Sequence, residues 1–329
     1  VAQHPLLQVQ DLVVKFRLRF GDLTALNGIN FTLAPGERMG LVGESGAGKS
    51  VAGFSIINLI SKPGFIASGR VLFEGEEISS YPLEHMRDIR GNRISMIFQD
   101  PMMTLNPVLT IGTQMVETIL AHSKVSTAHA REIALEKLAK VYISSPGKRL
   151  GQYPHELSGG MRQRVVIAIS LLTNPSLIIA DEPTTALDVT IQAEVMALLL
   201  ELCKNERMGL ILITHDLGVV SQVTEKIAVM YAGRIVEQGP TKNIITSPKH
   251  PYTQGLIKAL PQAENTGRRL YQIPGMMPNL TSIPPGCAFH PRCDQAMPMC
   301  RDHTPVLCTL EPGLTQVACH LYGTSKEKA

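Results

Sequence analysis

Gly43-Glu44-Ser45-Gly46-Ala47-Gly48-Lys49-Ser50 is the stretch that most restricts what this chain can become. It has the form G-x-x-x-x-G-K-S, and its flanks decide its meaning. Arg38-Met39-Gly40-Leu41-Val42 before it is short and apolar enough for a buried strand, and residues 51–60 carry apolar side chains at helical spacing. Strand, glycine loop and helix is the setting in which this motif cradles phosphate. Gly43, Gly46 and Gly48 let backbone N–H groups around Ser45 turn toward an anion, and the helix N-terminus adds partial positive charge. Lys49 then reaches the β- and γ-phosphates, and Ser50 holds Mg²⁺. A glycine-rich turn without a ligand is the competing reading, and the strand and helix on either side weigh against it. The stretch predicts a nucleoside triphosphate ligand.

A chain of 329 residues has room for one large or two modest domains. Its net charge of +3 is too small to argue for nucleic acid or an anionic membrane as partner. No apolar run approaches the length of a bilayer span, and Val1-Ala2-Gln3-His4-Pro5 lacks the basic start and apolar stretch of a secretion signal. A soluble, cytosolic protein is expected. Cys203 stands alone, while Cys287, Cys293, Cys300, Cys308 and Cys319 crowd the C-terminal end, and in a reducing compartment such crowding points to metal more than to disulfides.

Strands are predicted at 7–16, 25–33, 38–42, 69–73, 93–98, 177–180, 210–214 and 227–231, with 234–237 pairing back across Ala232-Gly233. Helices are predicted at 51–60, 111–122, 128–141, 165–172 and 191–203. Strands alternating with helices around a phosphate loop imply an α/β fold with a parallel sheet covered on both faces. The helical run from about 100 to 160 reads as an inserted subdomain, and from about 246 to 329 the chain becomes a proline- and cysteine-rich extension without the sheet's pattern.

Leu177-Ile178-Ile179-Ala180-Asp181-Glu182 is an apolar strand ending in two carboxylates. Asp181 is placed to bind Mg²⁺ through water and Glu182 to polarise an attacking water; alone, the pair would read as a solvated acidic turn. Leu157-Ser158-Gly159-Gly160-Met161-Arg162-Gln163-Arg164 leads a serine and two glycines into a helix, another anion-binding N-terminus. Phosphate loop, this stretch and the acidic strand end, in that order, resemble the ATP-binding-cassette ATPases. Gln99 after an apolar strand resembles the family's glutamine loop, Ala186-Leu187-Asp188 its aspartate loop, and His215 its switch histidine.

The resemblance implies an ABC-type P-loop ATPase core, residues 1–245, with an antiparallel β subdomain and the inserted helical subdomain. Two cassettes would sandwich two ATP molecules head to tail, so that Ser158 and Gly160 touch the partner's γ-phosphate, and Asp188 would be a further nucleotide-binding residue. Gln99 would sense Mg²⁺ and the attacking water, His215 would contact the γ-phosphate, and Glu182 would be the general base. An aromatic near residue 16 stacks on adenine in this family; Phe16 fits, with Phe20 as the alternative.

A narrower resemblance covers almost the whole chain. Gln99-Asp100-Pro101-Met102-Met103-Thr104-Leu105-Asn106-Pro107, Tyr153-Pro154-His155-Glu156-Leu157-Ser158-Gly159-Gly160, Ala180-Asp181-Glu182-Pro183-Thr184-Thr185-Ala186-Leu187-Asp188 and His250-Pro251-Tyr252-Thr253-Gln254-Gly255-Leu256 resemble the dipeptide/oligopeptide/nickel importer ATPases. That implies a second, different ATPase chain, two membrane-spanning permease subunits, an external solute-binding protein, and a place on the cytoplasmic face of the inner membrane. Met102, Met103 and Leu105 would suit docking of a permease helix, with simple core filling as the alternative. Residues 141–150 depart from the family's usual loop. Cys287, Cys293, Cys300 and Cys319 occupy the positions of a family four-cysteine tail that can hold a [4Fe–4S] cluster; spacing alone leaves Zn²⁺ or unligated thiols open, and Cys308 is extra. A soluble ABC ATPase uncoupled from transport is the alternative function.

Overall fold

The alternating stretch near the N-terminus forms a strand, Leu7–Leu18, in which Leu7, Val9, Leu12 and Val14 are buried together. Val9 and Leu12 share a face although three positions apart, because the register slips at Asp11, whose φ of 46° marks a bulge. The computed structural model describes residues 4–185, 187–260, 271–311 and 315–322. Its strands in chain order are β1 (Leu7–Leu18), β2 (Gly21–Leu33), β3 (Arg38–Val42), β4 (Gly64–Phe73), β5 (Glu76–Glu77) and β6 (Ile94–Ile97). They continue as β7 (Leu177–Asp181), β8 (Gly209–Thr214), β9 (Lys226–Tyr231), β10 (Arg234–Pro240), β11 (Cys308–Glu311) and β12 (Thr315–Val317).

Two compact units share these elements. One consists chiefly of Ser80–Leu212 together with Ala34–Glu37. In it β6 and β7 run parallel, Ile94 opposite Leu177 and Ile97 opposite Ala180, and β8 begins beside β7. Every residue of β7 is buried, as expected of a central parallel strand. The expected helical insertion lies here as helices Pro101–Thr104, Ile111–His122, Thr127–Lys140 and Pro146–Leu150. Side chains of Asp100, Thr110 and Ser126 accept N–H bonds at the starts of the first three, so the caps define where each begins. The irregular stretch at 141–150 contains two residues with positive φ, Tyr142 and Ser145, before the short helix.

The other unit combines Leu7–Leu33, Arg38–Ser79 and the chain from Ile213 onward. It contains the antiparallel sheet β2-β1-β4-β5. β4 starts at Gly64 rather than at 69, since its pairing with β1 continues back to Gly64 opposite Phe16, and Gly69 (φ 87°) packs against the Asp11 bulge, where a Cβ would lie 2.3 Å from the Asp11 carbonyl oxygen. A second set of strands follows the order β11-β12-β10-β9-β3. β3 and β9 are parallel, and β9 turns into β10 through Ala232 (φ 46°) and Gly233 (φ 76°), the tight hairpin read from the sequence.

Other expectations change as well. The C-terminal extension is not outside the sheet, since β12 adds to the edge of β10 with Glu237 opposite Val317, and β11 pairs with β12. The helix expected at 165–172 runs from Gly159 to Ser170, so the serine-glycine stretch read as leading into a helix forms its first turn, with Ser158 as the cap. Leu105 is 3% exposed and belongs to the core, while Met102 and Met103 stay exposed.

Candidate nucleotide site and cysteine pocket

Each unit carries its own group of motif residues. In the unit that contains β3, the strand delivers the chain into the glycine loop, and helix Lys49–Ile56 follows it. Gly46 (φ 82°) and Gly48 (φ 100°) occupy left-handed backbone that L side chains resist, and a Cβ on Gly43 would stand 2.3 Å from the Met230 carbonyl oxygen. The helix has no side-chain cap, so its N-terminal N–H groups are presented by the loop itself. Lys49 is buried and folds its ammonium back over the loop, donating to the carbonyls of Gly43 (2.8 Å) and Glu44 (3.1 Å); Ser50 follows in the helix's first turn. Ser45 lies exposed at the loop's crest.

Phe16 lies half-buried on β1, opposite Gly64, where an added Cβ would meet its ring at 2.7 Å. Phe20 is 76% exposed in the turn between β1 and β2. His215 is exposed directly after β8, and Asp216 behind it caps helix Leu217–Val223 by accepting from the N–H groups of Gly218 and Val219.

In the other unit Asp181 ends β7 almost fully buried. Glu182 follows in left-handed backbone (φ 44°), and its Oε2 accepts from Gln99 Nε2 at 3.2 Å and from Thr185 Oγ1 at 2.8 Å. Such a backbone conformation in a non-glycine residue costs of order 1–3 kcal/mol and persists only where the surroundings hold it. Gln99 is exposed past the end of β6. Ser158 accepts from the Met161 N–H and caps helix Gly159–Ser170. Gly160 has no room for a side chain, since a Cβ would approach Ile191 Cγ2 to 2.8 Å. Asp188 precedes helix Val189–Glu206 without capping it with its side chain. Ala186 lies outside the described residues.

The four thiols expected to act together do line one small cavity, of about 20 Å³, shared with His250, His290 and His320. Burial is the main cause that pushes Cys287, Cys293 and Cys319 above the ordinary thiol range, Cys319 to about 11, and the neighbouring thiols add to it. Among the described residues no group of three or more His, Cys, Asp or Glu is arranged to hold a single metal ion. Cys308 stands apart on β11, with its Sγ 3.2 Å from the Val317 carbonyl oxygen.

Three further residues touch the phosphate loop and were not legible as site residues. Tyr252 accepts the Glu44 N–H at 2.8 Å, Arg292 grips the Glu44 carboxylate with two nitrogens, and the Met277 methyl would lie 3.0 Å from a Cβ on Gly46. Only the Tyr252 stretch stood out in the sequence, as part of a family-like segment, and nothing there pointed toward the loop.

Comparison with known proteins decides the family. Residues 26–185 match the family described as ABC transporter, and residues 236–300 match the C-terminal region of oligopeptide/dipeptide transporters. The oligopeptide transport ATP-binding protein OppD of Salmonella typhimurium is 47% identical over 308 residues, covering 94% of this chain and 91% of that one. The chain belongs to the ABC transporter ATPases. The OppD of Bacillus subtilis is 49% identical over 294 residues, covering 89% of this chain and 82% of its own. Among solved structures, an ATP-binding cassette captured as a dimer with ADP and phosphate shares 26% identity at a TM-score of 0.64, covering 71% of this chain and 98% of that cassette. The cbiO1 subunit of Clostridium perfringens shares 29% identity at a TM-score of 0.63, covering 74% and 91%. ATP and Mg²⁺ are the substrate and cofactor of this ATPase family. Among the described residues no helix is long and apolar enough to cross a membrane.

Proposed function

We propose that the chain is the ATP-hydrolysing, energy-coupling subunit of a membrane importer for peptides or peptide-like solutes. The observation that carries this reading is one chain with two matched segments, an ABC transporter ATPase followed by an oligopeptide/dipeptide transporter C-terminal region. Gly43, Ser45, Gly46, Gly48 and Lys49 receive the phosphates, and Phe16 stacks on the adenine. Ser50, Gln99 and Asp181 offer a hydroxyl, an amide carbonyl and a carboxylate, the hard oxygen donors that suit Mg²⁺. When bound, the ion offsets charge on the phosphate oxygens. Gln99 can serve it through its carbonyl oxygen because the bond to Glu182 uses its nitrogen. Glu182 takes the proton of the attacking water, and His215 contacts the γ-phosphate.

Ser158 and Gly160 serve the nucleotide of a second ATPase subunit, a pairing of cassettes supported by the dimeric cassette with ADP and phosphate; Asp188 belongs to the nucleotide site, and the second subunit is a different chain. The pair works at the cytoplasmic face of the inner membrane beneath two permease subunits, which receive solute from an external binding protein. Residues 1–245 form the cassette and 246–329 the extension. Cys287, Cys293, Cys300 and Cys319 hold a [4Fe–4S] cluster, since four thiols on one cavity are the donor set such a cluster takes. Bound there, it would tie down a segment with little apolar core.

Mg²⁺-dependent phosphate release by the purified subunit, and by the assembled importer, tests the reading. Turnover is expected in the wild type and absent in Lys49→Ala; no turnover in either preparation of the wild type would overturn it. Iron and acid-labile sulfide in anaerobically purified protein test the cluster, with about four of each expected per chain. Zinc without sulfide would replace the cluster with a metal ion.

A further inference from the structure

We infer that Arg292 and Tyr252 are positioning residues of the ATPase, through which the C-terminal extension holds the phosphate loop in its anion-receiving form by gripping Glu44. The inference rests on the reading of Gly43–Ser50 as the ATP site.

Glu44 is the first variable position of the G-x-x-x-x-G-K-S loop, and the phosphate chemistry does not ask for an acid there. A carboxylate at the edge of a phosphate cradle repels the polyanionic ligand unless its charge is balanced. Arg292 balances it with a two-pronged contact, Nη1 to Oε2 at 2.7 Å and Nη2 to Oε1 at 2.9 Å, with the arginine side chain only 6% exposed. Bidentate charge-assisted pairs of this kind are among the strongest side-chain contacts and fix orientation as well as charge. The guanidinium is itself aimed by its surroundings. Its Nε donates to the Pro274 carbonyl at 2.8 Å, and it lies 5.9 Å from the ring centres of Tyr231 and Phe289. The contact with Glu44 holds the guanidinium charged, above its ordinary range.

The second grip is on the backbone. The Tyr252 hydroxyl accepts the Glu44 N–H at 2.8 Å and so fixes the peptide that opens the loop. Tyr252 is fully buried, and burial pushes its hydroxyl above the ordinary phenol range, so the neutral hydroxyl persists. Its ring packs edge-on against Tyr231 at 4.7 Å and near Phe289 at 5.4 Å, which leaves the hydroxyl little freedom. Met277 closes over Gly46 from a third part of the extension. The loop is thus braced at its carboxylate, at its first peptide and at its crest.

Arg292 also sits where the thiol cavity can reach it. It ends the single turn His290–Arg292, which is tied to Cys287 by the His290 N–H and to Cys293 by the Cys293 N–H.

The test is equilibrium binding of a fluorescent ATP analogue to the purified full chain, with kcat and KM for ATP in the assembled importer. Arg292→Ala, which leaves the Glu44 charge unbalanced, is expected to weaken binding about tenfold or more. It should raise KM while kcat stays within about twofold, because the loop is misplaced but Glu182 is untouched. Adding Glu44→Gln to Arg292→Ala removes the repelling charge and should recover most of the lost affinity. An arginine that merely holds the extension together would not be rescued this way. Tyr252→Phe is expected to weaken ATP binding several-fold, and it carries the test if Arg292→Ala fails to fold. Unchanged affinity in folded Arg292→Ala and in Tyr252→Phe would overturn the inference, as would a double variant no better than Arg292→Ala. Absence of ATP binding by the wild type would instead overturn the assignment of the site.

Discussion

Gln99 Nε2 donates to Glu182 Oε2 across 3.2 Å, joining the end of β6 to the end of β7. Those strands run parallel and in register, so the sheet itself brings the two side chains to one edge. Replacing Glu182 with Gln keeps the shape and removes the proton acceptor. Turnover should fall by about 10²–10⁴-fold, the usual worth of a positioned base, while ATP binding persists. Phosphate release and equilibrium binding on the same preparation check both halves, and turnover within tenfold of wild type would remove Glu182 from the role.

Gly160 faces Ile191 at a distance that leaves no room for a methyl group. Gly160→Ala should therefore displace the start of helix Val189–Glu206 and cost about 1–3 kcal/mol, the range for overpacking. Urea unfolding measures the loss, and an unchanged midpoint would show that Ile191 simply turns away.

Met103 is 85% exposed and Met102 46%, on the short helix Pro101–Thr104. Changing both to Ser should alter stability by no more than about 0.5 kcal/mol, as is usual for surface positions. The same variant should lose recovery with the permease subunits when the importer is purified. Full recovery would show that the permease docks elsewhere.

Glu237 is fully buried and accepts the N–H groups of Lys249 (2.7 Å) and His250 (2.9 Å) on separate oxygens. Burial is the largest influence and raises its pKa above the ordinary 4.5. A carboxyl with a raised native pKa binds its proton more tightly in the folded state. Its contribution to stability is therefore full below pH 4.5 and is lost as pH rises through the native value. Glu237→Gln never ionises and lacks one carbonyl-type acceptor, which should cost about 1–3 kcal/mol. Its deficit against wild type should be largest at acid pH and narrow as pH rises. Unfolding curves from pH 4 to 8 decide this, and a deficit that widens with pH would mean that the two N–H groups outweigh burial.

Most of the elements that carry motifs were legible because their signals are local. Leu177 to Asp181 could be read as a buried strand from apolarity alone, and Ala232-Gly233 as a hairpin from its turn residues. The catalytic order of phosphate loop, glutamine, signature, acidic pair and histidine is a property of the chain and survives any placement. Elements without a local signal were missed. β11 and β12 are short, polar and far along the chain from β10, and only pairing with its edge makes them strands. Leu105 sat in an apolar stretch that suited docking or core filling alike, and only the fold placed it in the core.

The amino-acid sequence by itself determined the phosphate-loop motif, the order of the motifs that follow it and the crowding of cysteines near the C-terminal end. These follow from residue type and spacing, because strand, glycine turn and helix are decided over a few neighbouring residues. Only the tertiary structure decided that Glu44 in the phosphate loop is held by Tyr252 and Arg292, and that His250, His290 and His320 line the cavity of the four cysteines. Those contacts join residues more than two hundred positions apart or separated by irregular chain, and no periodicity encodes them. They depend on where the extension comes to rest against the sheet, which is settled by packing and hydrogen bonds formed only in the folded protein.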